Sequence, residues 1–521
     1  MFSNQNSAET KFSVNSTEEE IEFLGSKLKW VSETIILGIT HGKGSRDLVV
    51  ENYESVMEKL TSKLNMWKLR DLSLIGKIQI LKTHGISQVQ DVMNVVEPST
   101  EILNKINSII FYFLWGSKSD KVKRQTMIAE YNQGGLKAPD IHIIIKVQRI
   151  MWVVRYFMTT DHPWKAIFEW QLDKVGGRQI LENSNLSLAA IEKSDLLPFY
   201  KNMIKCWGEW SKKEIDSSNF QGQNLYFNSL FIKPDGESFF YKQLSSKGIN
   251  KVCDLTIENR FITFDQAVTK YNLNPSDAIQ FASVIQCISK YSAMLDDTTT
   301  HPIRDNFPGI ENLNSRKVSS TLRKQFAERP SSEVKLENDF GICHNMWENI
   351  YTVPFISTIE TKLRAFQFKI NHNIFYTNEK MARANMEVVS DLGVSEKVSS
   401  LCTFCKEEVE TLRHIFIECK AVQPLWSQLE KHINYQFSDV EKIFGCFSKT
   451  NDRSFDIISH LTIIVKYYIH LCRLKKNTPH YQVLMKKITA TESIEMKIAV
   501  KSNKINQHLK KWSNMITKFS L

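Results

Sequence analysis

Apolar positions along the chain recur at helical spacing far more often than with the strict alternation of a strand. Residues 1 to 20 are polar and follow neither period, which predicts a flexible leader. From Ile21 the run IEFLGSKLKWVSETIILGITHGKG places β-branched and aromatic residues around Gly25 and Gly38 and reads as a small β-hairpin. At Asp47 the period changes. Tyr53, Met57, Leu60, Leu64 and Trp67 recur at alternating four- and three-residue steps, one face of a helix. The following LSLIGKIQILKTHGISQVQDVMNVV is apolar on nearly every side and is expected at the centre of a packed unit, until Pro98 stops it. Ser99 or Thr100 then caps a helix presenting Ile106, Ile109, Ile110, Phe113 and Leu114 before Gly116 ends it. After a basic loop and a Gly134-Gly135 turn, HIIIKVQRIMWVVRYFM makes another apolar helix, closed at Pro163-Trp164.

Beyond Trp164 the periods weaken. In NSLFIKPDGESFFYKQL two apolar runs flank Pro234-Asp235-Gly236, which predicts a hairpin. Residues 298 to 335 have the composition of exposed linker. Helical spacing returns with Trp347 and Ile350, and then with Ile359, Leu363, Phe366 and Ile370; Arg364, Lys369 and His372 fall between the apolar positions. SHLTIIVKYYIHLCRLKK is strongly apolar and then basic, and the last 40 residues read as a solvent-facing, Lys-rich helical tail.

A length of 521 residues sets a soft expectation of about three domains. Hydrophobic content of 42%, charged content of 24%, 19 Gly and 12 Pro describe a helix-leaning globular chain and exclude disordered and fibrous classes. No run approaches 18 apolar residues, and the N-terminus lacks the basic-then-apolar order of a secretory signal. The expected setting is intracellular, nuclear or cytoplasmic, with no membrane partner. Cys206, Cys253, Cys287, Cys343, Cys446 and Cys472 then read as reduced core residues. The net charge of +10 is unevenly placed: His460 to Leu521 holds 12 Lys/Arg against 2 Asp/Glu, and Arg46 to Thr160 holds 16 against 11. Two basic regions flanking a mildly acidic remainder suit a polyanion held at two places, although a basic helix is more often only a solvated face.

The remaining three cysteines lie in LCTFCKEEVETLRHIFIECKAVQPLW. Cys402, Cys405, His414 and Cys419 are spaced Cys-x2-Cys-x8-His-x4-Cys, three thiolates and an imidazole, a full tetrahedral set for zinc with no position left for a catalytic water. Such an ion would be structural, clipping a turn that carries the first two cysteines to a helix that Thr411 caps. The bland alternative is ordinary buried cysteines.

The residues WKLRDLSLIGKIQILKTHGISQ, INSIIFYFLWGSKSDKVKRQTMIAEYNQGGLKAPD and KLRAFQFKINHNIF, followed by the Cys/His cluster, resemble the C-terminal half of LINE-type (non-LTR) retrotransposon reverse transcriptases. The resemblance implies a mainly α chain with short β-hairpins, divided as a leader at 1–20, a palm or primer-grip remnant at 21–45 with Ile36-Leu37-Gly38-Ile39 as the grip, and a helical thumb at 46–160. A mixed helical linker with a hairpin near 229–241 would follow at 161–335, then a helical segment at 336–395, a zinc-knuckle module at 396–430 and a basic helical tail at 431–521. The family's catalytic Tyr-x-Asp-Asp turn is missing, and the one adjacent acidic pair, Asp296-Asp297, reads as a surface feature. The expected function is therefore a non-catalytic module that binds RNA and primer-template nucleic acid. Lys63, Lys68, Arg70, Lys77, Lys82, Lys121, Lys123 and Arg124 would contact the backbone, and Phe404, Phe416 and Trp426 would stack on bases if exposed. Core packing is the favoured role for Phe416. The alternatives are part of an active RNA-directed DNA polymerase whose palm lies on another segment, or a helical protein-interaction scaffold.

Overall fold

Asp47 opens the first long helix. Its carboxylate accepts from the backbone N–H groups of Val49 and Val50 at 3.1 and 3.2 Å, satisfying donors that a helix start leaves without partners. The computed structural model describes residues 20–23, 26–29, 33–42, 47–160, 162–212, 220–295, 310–325, 328–389, 395–447 and 454–519. The predicted leader lies outside them except for Glu20, and so does Asp296-Asp297.

Two antiparallel pairs come first, β1 (Glu20–Phe23) with β2 (Ser26–Lys29) and β3 (Glu33–Ile36) with β4 (Ile39–Gly42). The second closes through Leu37 and Gly38, both at positive φ (52° and 79°), the backbone that a tight hairpin turn demands. Leu37, the tip of the expected primer grip, is 95% exposed. The mainly α expectation holds: helices dominate the described residues, and the strands form only two-stranded pairs.

Helix α1 (Leu48–Lys68) buries Tyr53, Val56, Leu60 and Leu64, while Met57 and Trp67 of the predicted stripe reach only the margin of the core. The apolar stretch that follows splits into α2 (Leu74–Ile80), a π-turn at Leu81–Gly85 and α3 (Ile86–Val95). Ser99 caps α4 (Thr100–Trp115), and Gly116 ends it at φ 69°, as the sequence predicts. After the short α5 (Arg124–Ile128), Asp140 caps α6 (Ile141–Met158) and also accepts from the Asn107 side chain of α4 at 2.8 Å. Arg149 of α6 is fully buried, donating to Met93 O at 2.8 Å and to Glu97 at 2.7 Å. Nothing in the periodicity announced that ion pair.

The hydrophobic cores do not follow the boundaries expected from sequence. The first core runs from Ile39 through Trp207, well past residue 160. It also recruits the Ser315–Gln325 helix, whose Val318 and Leu322 are buried against it, so residues 315–325 are not linker. Those two apolar residues are one turn apart in an otherwise polar segment, which is why composition hid the helix. A second core spans Phe220 to Leu295. The expected hairpin near 229–241 is there a single bridge, Ile232 to Ser238, around a turn with Gly236 at φ 83°. Phe231 and Phe239 leave strand geometry to enter the core, and the nearest strand pair is Thr256–Ile257 with Arg260–Phe261.

The third core, from Leu336 to Trp512, is built around the Ser454–Leu474 helix, buried on nearly every side. By length and composition its Asp456–Leu474 stretch could cross a membrane, yet 78% of that window is buried in the fold. The tail is not wholly solvent-facing. Leu484 and Ile488 of the Tyr481–Lys501 helix and Trp512 of the Ile505–Phe519 helix enter this core, and Trp512 Nε1 donates to Glu495 at 3.0 Å.

The first and third cores meet at the predicted Gly134-Gly135 turn. Tyr131 stacks on Phe355 with ring centroids 3.9 Å apart, Asn132 donates to Glu348 at 2.6 Å, and His372 Nε2–H donates to Gly134 O at 2.7 Å. A Cβ on Gly134 would lie 2.9 Å from the Tyr351 ring, and one on Gly135 would lie 1.9 Å from Ala129 O. Only glycine permits this approach.

Candidate metal centre and nucleic-acid interface

The Cys402 N–H donates to Glu408 O at 2.8 Å, and the Lys406 N–H returns to Cys402 O at 3.0 Å with Lys406 at φ 59°. This tight turn carries Cys402 and Cys405. Thr411 Oγ1 accepts from the His414 N–H at 3.0 Å, capping a short helical piece that widens into a π-turn over His414–Glu418, and Cys419 follows directly. Single π-turns of this kind often aim side chains at sites. All four ligand atoms lie within 4.8 Å of one another. Cys402 Sγ and Cys419 Sγ are 3.7 Å apart, and Cys405 Sγ is 3.4 Å from His414 Nε2. A tetrahedral ion bonded at about 2.3 Å to sulfur and about 2.0 Å to nitrogen sets such atoms roughly 3.5 to 3.8 Å apart. These two separations match that geometry, and the four side chains could hold a metal ion.

The two close sulfurs share a hydrogen bond that pushes the Cys402 thiol up and holds the Cys419 thiol down. The Phe404 N–H also points at Cys402 Sγ, at 3.4 Å. Behind the turn lies Glu410, fully buried, which accepts from Thr403 N at 2.9 Å, Asn378 N at 2.9 Å and Arg473 Nε at 2.8 Å. Phe416 is core, packed against Phe366 and Phe375, as the sequence reading favoured. Trp426 is buried too, donating to Phe416 O at 2.7 Å, so neither ring can take a base. Phe404 is half-buried at the edge of the same core.

Between the first and third cores lies a cleft of about 1270 Å³. The first core contributes Lys77 and Lys121. The third contributes Lys362, Lys369, Lys397, Lys406, Arg473 and Lys476. Asp71 is the only acidic side chain among the lining residues, and it is paired with Lys362 at 2.9 Å. The crowding is visible in the amines themselves. Burial lowers the Lys77 pKa, with Lys68, Lys121 and Lys369 adding to the effect, and burial with Lys121 nearby lowers that of Lys369. Lys77 also donates to Leu114 O at 3.1 Å.

Of the eight cations predicted to touch nucleic acid, Lys77 and Lys121 line this cleft. Lys68 and Arg124 line a separate hollow of about 630 Å³ on α1 and α4. There Lys68 sits over Tyr112, and Arg124 pairs with Asp120 at 2.8 Å. Lys123 pairs with Glu328 at 3.1 Å. Lys82 belongs to a cluster with Arg323, Lys137 and Glu130, while Lys63 is half-exposed on α1 and Arg70 is exposed just beyond it. The third-core cations were missed, because nothing local in the sequence brings Lys369 or Lys406 opposite Lys77. A second group of possible ligands, Glu333, Glu337 and His344, is taken up by Arg329, which donates to the two carboxylates at 2.8 and 2.5 Å.

No family model matches the chain. The chain is similar to a protein of Arabidopsis thaliana described as a “Putative ribonuclease H protein”, with 20% identity over 402 residues. The similarity takes in 72% of this chain and 55% of the relative, so the chain spans about half the length of the curated relative it matches.

Proposed function

We propose that these residues form a non-catalytic nucleic-acid-binding module derived from the C-terminal half of a LINE-type reverse transcriptase, with zinc as its structural ion and RNA or primer-template as its ligand. The cleft carries this reading. Cations from parts of the chain some 300 residues apart line one groove whose single lining carboxylate is already paired. A polyanion entering it releases counterions from its phosphates, which provides affinity without reading sequence. Three thiolates and one imidazole are a donor set suited to zinc. By their place in the fold, the ligands fix the cleft wall that bears Lys406. The name of the Arabidopsis relative accords with descent from a protein that handles nucleic acid. The sequence has no Tyr-x-Asp-Asp turn to hold the paired metal ions of polymerisation.

The test is titration of fluorescent RNA and of primer-template at two salt concentrations, with metal analysis and a primer-extension assay on the same preparation. The expected result is one zinc per chain, steeply salt-dependent binding and no extension. Extension would favour the polymerase reading. A folded, zinc-loaded chain that binds neither nucleic acid would favour a helical scaffold.

A further inference from the structure

The cleft is not uniformly basic. Apolar residues line it beside the cationic ones, among them Leu74, Ile374 and Leu401. In the loop between the Thr361–Asn371 and Asn378–Arg383 helices, Tyr376 stands 45% exposed at the same wall, and Lys121 reaches across from the first core to within 5.3 Å of its ring centroid. A half-exposed aromatic ring with an amine against it, in a cleft that also has apolar lining, is a poor match for a duplex. A duplex keeps its base faces in the stack and offers such a surface only phosphate and sugar. A single strand offers both charge and flat apolar rings.

We infer that the cleft takes single-stranded nucleic acid, with one unpaired base stacked on Tyr376 and neighbouring phosphates met by Lys121, Lys369 and Lys406. The inference rests on the reading of the cleft as a nucleic-acid interface and narrows it: primer-template is held through its unpaired overhang and not through its duplex. The recognising chemistry, an unpaired base between phosphates, is common to RNA and DNA single strands.

Fluorescence anisotropy of the full chain tests this, with labelled RNA and DNA strands of about 12 nucleotides, within the span of single-strand sites, a blunt duplex of the same length, and a base-free sugar-phosphate strand. Either single strand should bind about 10-fold more tightly than the duplex, and the base-free strand should bind as weakly as the duplex. Tyr376→Leu should weaken single-strand binding by roughly 5- to 150-fold, the worth of one stacked base, and leave duplex binding unchanged; Tyr376→Phe should keep wild-type affinity. If Tyr376→Leu lowers the melting temperature, the base-free strand on the wild-type chain decides alone. Duplex bound as tightly as single strand, or base-free strand bound as tightly as the intact one, would overturn the inference while leaving the cleft a nucleic-acid interface. No binding of any probe would overturn both.

Discussion

Arg473 donates to Glu410 at 2.8 Å inside the third core, 8% and 0% exposed respectively. The pair joins the turn that carries Cys402 and Cys405 to the central Ser454–Leu474 helix, so the candidate metal ligands and the core are one mechanical unit. Arg473→Met strands a buried carboxylate, a change that typically costs about 3–5 kcal/mol. Loosening the support behind the ligands should also weaken metal binding by about 10- to 100-fold. Thermal melting and competition with a chromophoric chelator measure the two effects, and unchanged values in both would show the pair to be incidental.

Removing the ion should act in the same direction. Cys402→Ser/Cys405→Ser, or an excess of chelator, is expected to lower the melting temperature and reduce nucleic-acid affinity, because Lys406 lies within the clipped turn. Three thiols must lose protons to bind the metal, so metal affinity should fall as pH falls. Metal release followed from pH 7.5 down to pH 5 checks the sign.

The joint at Gly134 should add its own pH dependence. Burial holds the His372 imidazole neutral and pushes its pKa down to about 4 from 6.5. The unfolded chain therefore takes up the proton first: stabilisation is complete above about pH 6.5 and is lost as pH falls toward 4, by roughly 3 kcal/mol in all. Burial pushes His460 and His470 the same way. His372→Gln should flatten the dependence of melting temperature on pH between 6.5 and 4.5, and a slope equal to the wild type would exclude this origin.

Gly135→Ala places a methyl group 1.9 Å from Ala129 O. The obstacle is backbone and not a flexible side chain, so the main chain must shift, and the expected loss is about 2 kcal/mol or more. If the joint fixes the width of the cleft, the variant should lose RNA affinity even where it remains folded, read by anisotropy below its melting transition.

Local features of the fold were legible because local physics decides them. Asp47, Ser99 and Thr411 cap helices as their oxygen-bearing side chains suggest, Gly116 ends one as its missing Cβ allows, and the four ligands converge as their spacing implies. What sequence reading missed depends on distant partners. The Arg149–Glu97 pair, the return of the Ser315–Gln325 helix to the first core and the meeting of Lys77 with Lys369 across the cleft join residues that share no period. The tail was misjudged for a related reason. Its lysines are frequent enough to mask that Leu484, Ile488 and Trp512 fall on one buried side.

The most direct measurement of the central claim is the salt dependence of RNA binding by the wild type, by Lys121→Gln/Lys369→Gln across the cleft, and by Lys63→Gln on α1 outside it. The account expects the double variant to bind more weakly and the slope of log affinity against log salt to shrink by about 1.4, two phosphate contacts on a single strand, with Lys63→Gln close to wild type. Equal slopes in all three proteins would contradict the account.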